Sequence, residues 1–146
     1  MLIDKNNIPM VAMEFMNDVH IEDVDIINEL FELILDYEKD PSAKNKEKLN
    51  NKYKIWFEHT IEHFKGEEDK MLETNFPPYH FHKAEHDNAL KIMEDIFLQW
   101  EKSGDIAILK QYFIEVLPTW IENHIRTMDT VTATYFKTGL SPCAIH

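Results

Sequence analysis

The sequence contains few of the residues that define several common classes of protein. Its one cysteine, Cys143, excludes a disulfide within the chain and a zinc or iron–sulfur site held by several cysteines. This usage fits a reducing compartment, and we expect a cytoplasmic location. No run of about 18 apolar residues predicts a transmembrane helix. The first ten residues lack the basic and apolar regions of a signal peptide.

Basic residues are also scarce, with 15 Lys and Arg against 27 Asp and Glu and a formal net charge of -12. A chain without a basic patch has nothing to neutralise a row of phosphates, so nucleic acid is disfavoured as a partner. Anionic membrane surfaces are disfavoured for the same reason. The length of 146 residues suits one domain that can bury a core without cross-links.

Glycine and proline are few, three and six in number, and they mark boundaries. Between the turns at 40–41, 75–78 and 103–105, apolar residues recur every three or four positions, which is typical of amphipathic helices. We predict helices over about 17–39, 44–73, 80–101 and 105–137, with Asn17 or Asp18 capping the first. Pro118 should kink the last helix or restart it near Leu117.

This pattern predicts an all-α fold, an antiparallel up-down-up-down four-helix bundle formed by residues 17–137. Residues 1–16 are expected to be an N-terminal arm packed on the outside of the bundle. Residues 138–146 form a tail that contains Cys143.

Titratable residues lie on the apolar faces of these helices, where a bundle core normally excludes them. They are His20, His63, Glu67, His82, His86 and His124. A single histidine on such a face is more often a core residue whose hydrogen bonds are satisfied. Five imidazoles and a carboxylate together would lose too much hydration energy unless they shared a partner such as a metal.

The spacing of these residues brings pairs of side chains together on one helix face. His63 and Glu67 are four residues apart, as are His82 and His86, so each pair can reach one point. In the last helix, Asp129 follows the histidine at 124 by five residues, about 140° around a regular α-helix. That separation fits either an Asp that bridges two ions or a locally loosened turn. The whole set suits a dinuclear metal site better than a mononuclear one.

Two other metal motifs can be compared with this set. The stretches HTIEH (59–63) and HKAEH (82–86) both fit the zinc-protease pattern H-x-x-E-H. In each, however, the intervening Glu lies about 100° off the apolar face, so a zinc hydrolase is disfavoured. A ferritin-like di-iron site needs Glu-x-x-His on two helices, and no Glu here is followed by His three residues later.

Four motifs in chain order resemble the hemerythrin family over about residues 15–136. They read H…IIN.L from His20, HFKGEEDKM from His63, FP….H…H from Phe76, and WIENHIRTMD from Trp120. Two residues depart from the family pattern inside the bundle. Asp23 stands where the family usually has an apolar residue, and Pro118 interrupts the last helix.

The resemblance implies a non-haem di-iron centre with an oxo or hydroxo bridge. One iron would be bound by His82, His86 and His124 and the other by His20 and His63. Glu67 and Asp129 would bridge the two ions. Dioxygen would bind at the two-histidine iron, take two electrons from the ferrous pair and be held as hydroperoxide.

Four apolar residues are expected to wall the ligand pocket, because each lies beside or one turn before an expected ligand. They are Phe64, Trp120, Ile121 and Ile125. Ordinary core packing would explain the same positions, and the two roles are compatible.

The resemblance implies reversible binding of dioxygen for carriage, storage or delivery, without enzymatic activity. The alternatives are reduction of peroxide or nitric oxide at the same centre, a sensor of oxygen or redox state that acts through another protein, and irons that are only structural. The sequence identifies no protein partner.

Overall fold

Four long helices joined by short links make up most of residues 1–139, the part of the chain that the computed structural model describes. The first three are α1 (Glu14–Lys39), α2 (Ala43–Glu73) and α3 (Tyr79–Ser103), and α4 covers residues 106–138. A short 3-10 helix, Lys5–Asn7, lies in the arm before α1, and residues 1–139 contain no strand. Cys143 and most of the predicted tail lie outside the described residues.

The links between the helices are short, at 40–42, 74–78 and 104–105. Links of this length force successive helices to run antiparallel. Each helix packs on the next, and α4 also packs on α1, which closes the bundle. The predicted all-α four-helix bundle is therefore confirmed. None of the helices within residues 1–139 combines the length and apolar character needed to cross a membrane.

The start of α1 differs from the sequence-based prediction. The helix begins at Glu14, with Met13 at the cap position and no side-chain capping bond, so the prediction that Asn17 or Asp18 caps it was wrong. Asn17 instead lies inside the helix, where its side chain accepts from the Val11 N–H at 2.9 Å and donates to the Val11 carbonyl at 3.0 Å. An amide that pairs with the preceding backbone in this way holds the arm against α1.

The starts of α2 and α4 and the end of α3 follow standard capping chemistry. The Ser42 hydroxyl accepts from the backbone N–H of Asn45, and the Asp105 carboxylate accepts from that of Ala107, at the starts of α2 and α4. Gly104 ends α3 in the left-handed conformation, with φ 68°, which costs a residue without Cβ nothing.

The fourth helix is interrupted twice by π-helical turns, in which hydrogen bonds join residues five apart. Its α-helical segments are Ile106–Gln111, Leu117–His124 and Thr130–Thr138, separated by the π segments Tyr112–Val116 and Ile125–Asp129. The α-helical pattern restarts at Leu117, next to Pro118, as predicted. Proline has no N–H to donate, so a regular α-helix would lose a hydrogen bond at this position.

The bundle interior divides into an apolar half and a polar half. The apolar half is one cluster, which includes Ile34, Tyr53, Trp100 and Phe113. The Tyr53 hydroxyl donates to the Met93 carbonyl at 2.6 Å, so its one polar group is satisfied within the core. The other half contains the titratable residues. The apolar cluster thus stabilises the scaffold that holds them.

We expect Asn28 to stabilise the N-terminal arm. Its side chain accepts from the Ile3 N–H and donates to the Ile3 carbonyl, both at 2.8 Å. Asn28→Ala should lower the free energy of unfolding by about 1–2 kcal/mol and speed proteolysis of the arm. Denaturant unfolding and limited proteolysis measure the two effects. Asn51→Ala, at an exposed helical position, is the matched control, and equal behaviour of the two variants would contradict this role.

Candidate metal centre

All seven predicted ligand residues converge in the polar half of the bundle, and all four helices contribute. Their side chains are at most 7% exposed. Their ligand atoms form two groups, within each of which all atoms lie within 4.8 Å of one another. One group comprises Glu67, His82, His86, His124 and Asp129, and the other comprises His20, His63 and Glu67. Glu67 belongs to both.

The Glu67 carboxylate lies between the two groups of histidines. Its Oε2 is 2.9 Å from His63 Nε2 and 4.0 Å from His20 Nε2. Its Oε1 is 3.4 Å from His86 Nε2 and 3.8 Å from His82 Nε2. Each oxygen therefore faces a different group, which is the orientation of a carboxylate that can bridge two ions.

The Asp129 carboxylate has the same orientation from the opposite side. Its Oδ2 is 3.0 Å from His20 Nε2, and its Oδ1 is 3.0 Å from His82 Nε2 and 3.2 Å from His124 Nε2. Both oxygens are buried without a regular hydrogen bond, as are Glu67 Oε1 and His20 Nε2. Buried polar atoms that no protein group satisfies are costly, and a bound cation would satisfy them.

A π turn brings Asp129 to the same side of α4 as the histidine at 124. The backbone N–H of Thr130 donates to the carbonyl of Ile125, five residues earlier. The segment Ile125–Asp129 is therefore wider than a regular α-helical turn. The predicted loosened turn is present, and from it Asp129 faces both groups of histidines.

Three histidines have a partner that fixes which ring nitrogen bears the proton. His86 Nδ1 lies 2.8 Å from Glu68 Oε2, and His124 Nδ1 lies 2.7 Å from Glu85 Oε1. Because a carboxylate only accepts, each Nδ1 must bear the proton. The opposite nitrogen, Nε2, is then free to bind a metal.

The third of these partners is a hydroxyl. His82 Nδ1 lies 2.7 Å from Thr132 Oγ1, and that hydroxyl donates to the carbonyl of Met128 at 2.8 Å. The hydroxyl hydrogen is therefore in use, and the oxygen accepts from His82. By contrast, Nδ1 of His20 and of His63 has no hydrogen-bond partner.

The three Nε2 atoms converge closely. His82 Nε2 lies 3.3 Å and His86 Nε2 lies 3.1 Å from His124 Nε2. Nitrogens bound about 2.1 Å from one ion and at right angles are about 3 Å apart. The spacing therefore fits three imidazoles on one face of a metal ion.

Electrostatics in the metal-free chain favour a cation at this point. Burial lowers the pKa of His124, but the close Asp129 carboxylate and the hydrogen bond to Glu85 outweigh it and raise that pKa to about 10. Burial raises the pKa of Asp129, but the charge of His124 and the close imidazoles of His20 and His82 bring it well below its ordinary value. The carboxylate is thus ionised, and a proton on His124 supplies the positive charge that a metal would supply.

A cavity of about 40 Å³ lies beside the two-histidine group and is lined by His20 and His63. The four predicted pocket residues all line it, namely Phe64, Trp120, Ile121 and Ile125. Two of them also stack on imidazoles. The Phe64 ring lies 3.8 Å from that of His86 at 2°, and the Trp120 ring lies 4.6 Å from that of His124 at 10°. These stacks restrict the rotation of the two imidazoles.

Sequence reasoning missed Glu68, Glu85 and Thr132. The two glutamates are each next to an expected ligand in the sequence, but only the packing of α2, α3 and α4 shows which histidine each contacts. Glu85 is also the intervening Glu of HKAEH, and its contact with His124 orients that imidazole. His59 belongs to neither group of converging ligand atoms.

The family is established by comparison with known proteins. The family model described as the hemerythrin HHE cation binding domain matches residues 11–135. This match covers most of the chain and includes all seven clustered residues. The chain therefore belongs to the hemerythrin family, and its buried cluster is compatible with metal binding.

Three relatives are each named bacteriohemerythrin. The one from Aquifex aeolicus (strain VF5) is 29% identical over 133 residues, which covers 91% of this chain and 96% of the relative. The one from Ralstonia nicotianae is 35% identical over 77 residues, 53% of this chain and 55% of the relative. The one from Methylococcus capsulatus is 25% identical over 115 residues, 79% of this chain and 81% of the relative. No solved structure matches the chain significantly.

Removing the Asp129 charge should destabilise the metal-free protein in a pH-dependent way. Because its folded pKa is lowered, the ionised form stabilises the fold above about pH 3.9, the ordinary value in an unfolded chain. This contribution is lost as the pH falls through the lowered value. Asp129→Asn should therefore cost about 3 kcal/mol at neutral pH and progressively less in acid. Thermal melts against pH measure the difference, with exposed Asp18→Asn as control. If the loss of stability in Asp129→Asn did not change with pH, this expectation would be contradicted.

The partners of the three histidines should make metal binding unequal. Glu85→Gln should weaken metal binding at the group of three histidines by about 10–100-fold, since a neutral amide polarises His124 less than a carboxylate. Metal held at the group of His20 and His63, whose Nδ1 atoms lack partners, should be released first. Stepwise competition with a chromophoric chelator measures both effects, and exposed Glu101→Gln on the same helix is the control. Loss of both ions in one step would argue against this asymmetry.

Proposed function

We propose that the cluster binds two iron ions and that the protein binds dioxygen reversibly. The observation that carries this proposal is the orientation of Glu67 and Asp129, each of which presents one oxygen to each group of histidines. A mononuclear site has no use for two carboxylates arranged in this way. The donors are imidazole nitrogens and carboxylate oxygens, a set that suits iron. The bacteriohemerythrin name of the three relatives supports the same reading.

The proposed roles of the seven residues follow their grouping. His82, His86 and His124 hold one ion, and His20 and His63 hold the other. The two carboxylates would complete both sets, so the ion held by His20 and His63 would have one protein ligand fewer and could take a small ligand. A ferrous pair, when bound, supplies the electrons that dioxygen takes up on binding.

The cavity beside the two-histidine group supports a diatomic ligand. A volume of about 40 Å³ holds roughly two or three waters, which excludes an organic substrate of ordinary size. Ile121 and Ile125 line it together with the stacked rings of Phe64 and Trp120. These walls limit the access of water to the ligand, and such exclusion favours release of the ligand unchanged.

Reduction of a small oxygen or nitrogen species at the same centre is a second candidate. The observation that favours it is the presence of Asp23, an ionisable residue, in the lining of the cavity. An apolar lining throughout would favour carriage alone.

Oxygen binding is tested by anaerobic reduction of the iron-loaded protein, exposure to oxygen and then removal of the oxygen. We expect a visible band that forms and disappears over repeated cycles. His63→Ala should lose iron and the band, whereas His80→Ala, at an exposed position outside the cluster, should keep both. Irreversible oxidation in the first cycle would contradict carriage, and equal iron loss in both variants would contradict the ligand assignment.

A further inference from the structure

Some polar residues that line the cavity beside the two-histidine group are not used by the metal cluster. Asp23, Trp56 and Tyr112 all line this cavity. Asp23 Oδ1 and Trp56 Nε1 are buried without a hydrogen-bond partner. Neither Asp23 nor Tyr112 belongs to the groups of converging ligand atoms. The cavity therefore combines apolar walls with groups able to exchange hydrogen bonds or protons with a ligand.

Asp23 is connected to the protein surface through His59 on α2. Asp23 Oδ1 lies 3.4 Å from His59 Nδ1, and their side chains are 15% and 25% exposed. On its other side, His59 Nε2 lies 3.6 Å from Glu22 Oε2, whose side chain is 65% exposed. Carboxylate, imidazole and carboxylate thus form a row from the cavity to solvent, in which each ring nitrogen of His59 lies near a carboxylate oxygen without a regular hydrogen bond.

The groups around this row favour the protonated form of His59. The nearby Asp23 carboxylate raises the pKa of His59, burial lowers it, and Glu22 also raises it, with a net increase. The other titratable groups nearby are His63 on α2 and Tyr112 on α4. Burial and the charge of Asp23 raise the pKa of Tyr112, so the phenol stays neutral.

We propose that Asp23 and His59 conduct protons from solvent to the ligand cavity, so that the centre releases part of its bound oxygen as hydrogen peroxide. This inference rests on the proposed di-iron function. The reaction is balanced: dioxygen takes one electron from each of two ferrous ions and two protons from solvent. It yields one hydrogen peroxide and two ferric ions. The protons pass through His59 to Asp23, and Glu22 or water returns His59 to its starting state.

Protonation is the step that separates peroxide release from reversible release in this scheme. Oxygen that leaves unchanged returns its electrons to the ions, whereas peroxide leaves only after gaining protons. A wall without ionisable groups slows the second route. A positioned acid typically accelerates proton transfer by about 10²–10⁴-fold. One carboxylate in this lining is therefore enough to shift the balance from release of unchanged oxygen toward release of peroxide.

The test is the rate of oxidation of the oxygenated protein, measured with its yield of hydrogen peroxide between about pH 6 and pH 9. In the wild-type protein the rate should rise as the pH falls, because His59 gains its proton. Asp23→Asn should slow oxidation about tenfold or more and flatten this dependence. His59→Gln should have a smaller effect in the same direction. Asp18→Asn and His80→Gln, both at exposed positions, are the matched controls.

A binding measurement provides a readout that needs no turnover. Azide should bind the ferric protein together with one proton, because Asp23 and an unprotonated His59 leave a negative charge beside the anion. Its affinity in the wild-type protein should then fall with rising pH more steeply than in Asp23→Asn, by about tenfold per pH unit. Hydroxide competes with azide for iron in both proteins, so comparing the wild-type protein with Asp23→Asn removes this effect.

The outcomes separate this inference from the function on which it rests. If oxygenation is reversible but Asp23→Asn matches Asp18→Asn in oxidation rate and azide affinity, the proton path is wrong and carriage stands. If the wild-type protein never forms a reversible oxygenated state but its azide affinity shows the extra proton, carriage is wrong and the path stands.

Discussion

The fold holds two ionised carboxylates and five imidazoles inside a helical bundle, and the structure depends on a shared partner for these groups. Water is excluded, since Asp129 is 1% and Glu67 is 2% exposed, and several of their oxygens lack hydrogen bonds. Protons on histidine balance part of the negative charge of these carboxylates. A pair of cations would balance it more fully, because each carboxylate faces both groups of histidines.

Several features of the bundle serve this requirement. The apolar half provides burial free energy that does not depend on the cluster, so the ligand residues can occupy the other half. The π turn at Ile125–Asp129 brings a carboxylate into the cluster at a spacing that a regular helix would direct elsewhere. Ring stacking by Phe64 and Trp120 and contacts from Glu68, Glu85 and Thr132 fix the imidazoles.

The sequence predicted much of this fold because helix period and rare glycine and proline are local signals. The ligand-type residues on apolar faces were visible in the same way. The start of α1 was not predicted, because Asn17 pairs with Val11 rather than with the helix end. The contacts of Glu85 and Thr132 depend on how three helices pack, which periodicity does not encode. Asp23 was visible as an unusual residue, but its link to His59 required the structure.

The central claim is that the cluster holds two coupled metal ions, and Mössbauer spectroscopy of anaerobically iron-loaded protein tests it most directly. Combined with metal analysis, it gives both the number of irons and their magnetic coupling. We predict two irons per chain and, after oxidation, an antiferromagnetically coupled ferric pair with two distinct sites, one for each group of histidines. A single bound ion, or two ions without coupling, would contradict the account, since Glu67 and Asp129 would then bridge nothing.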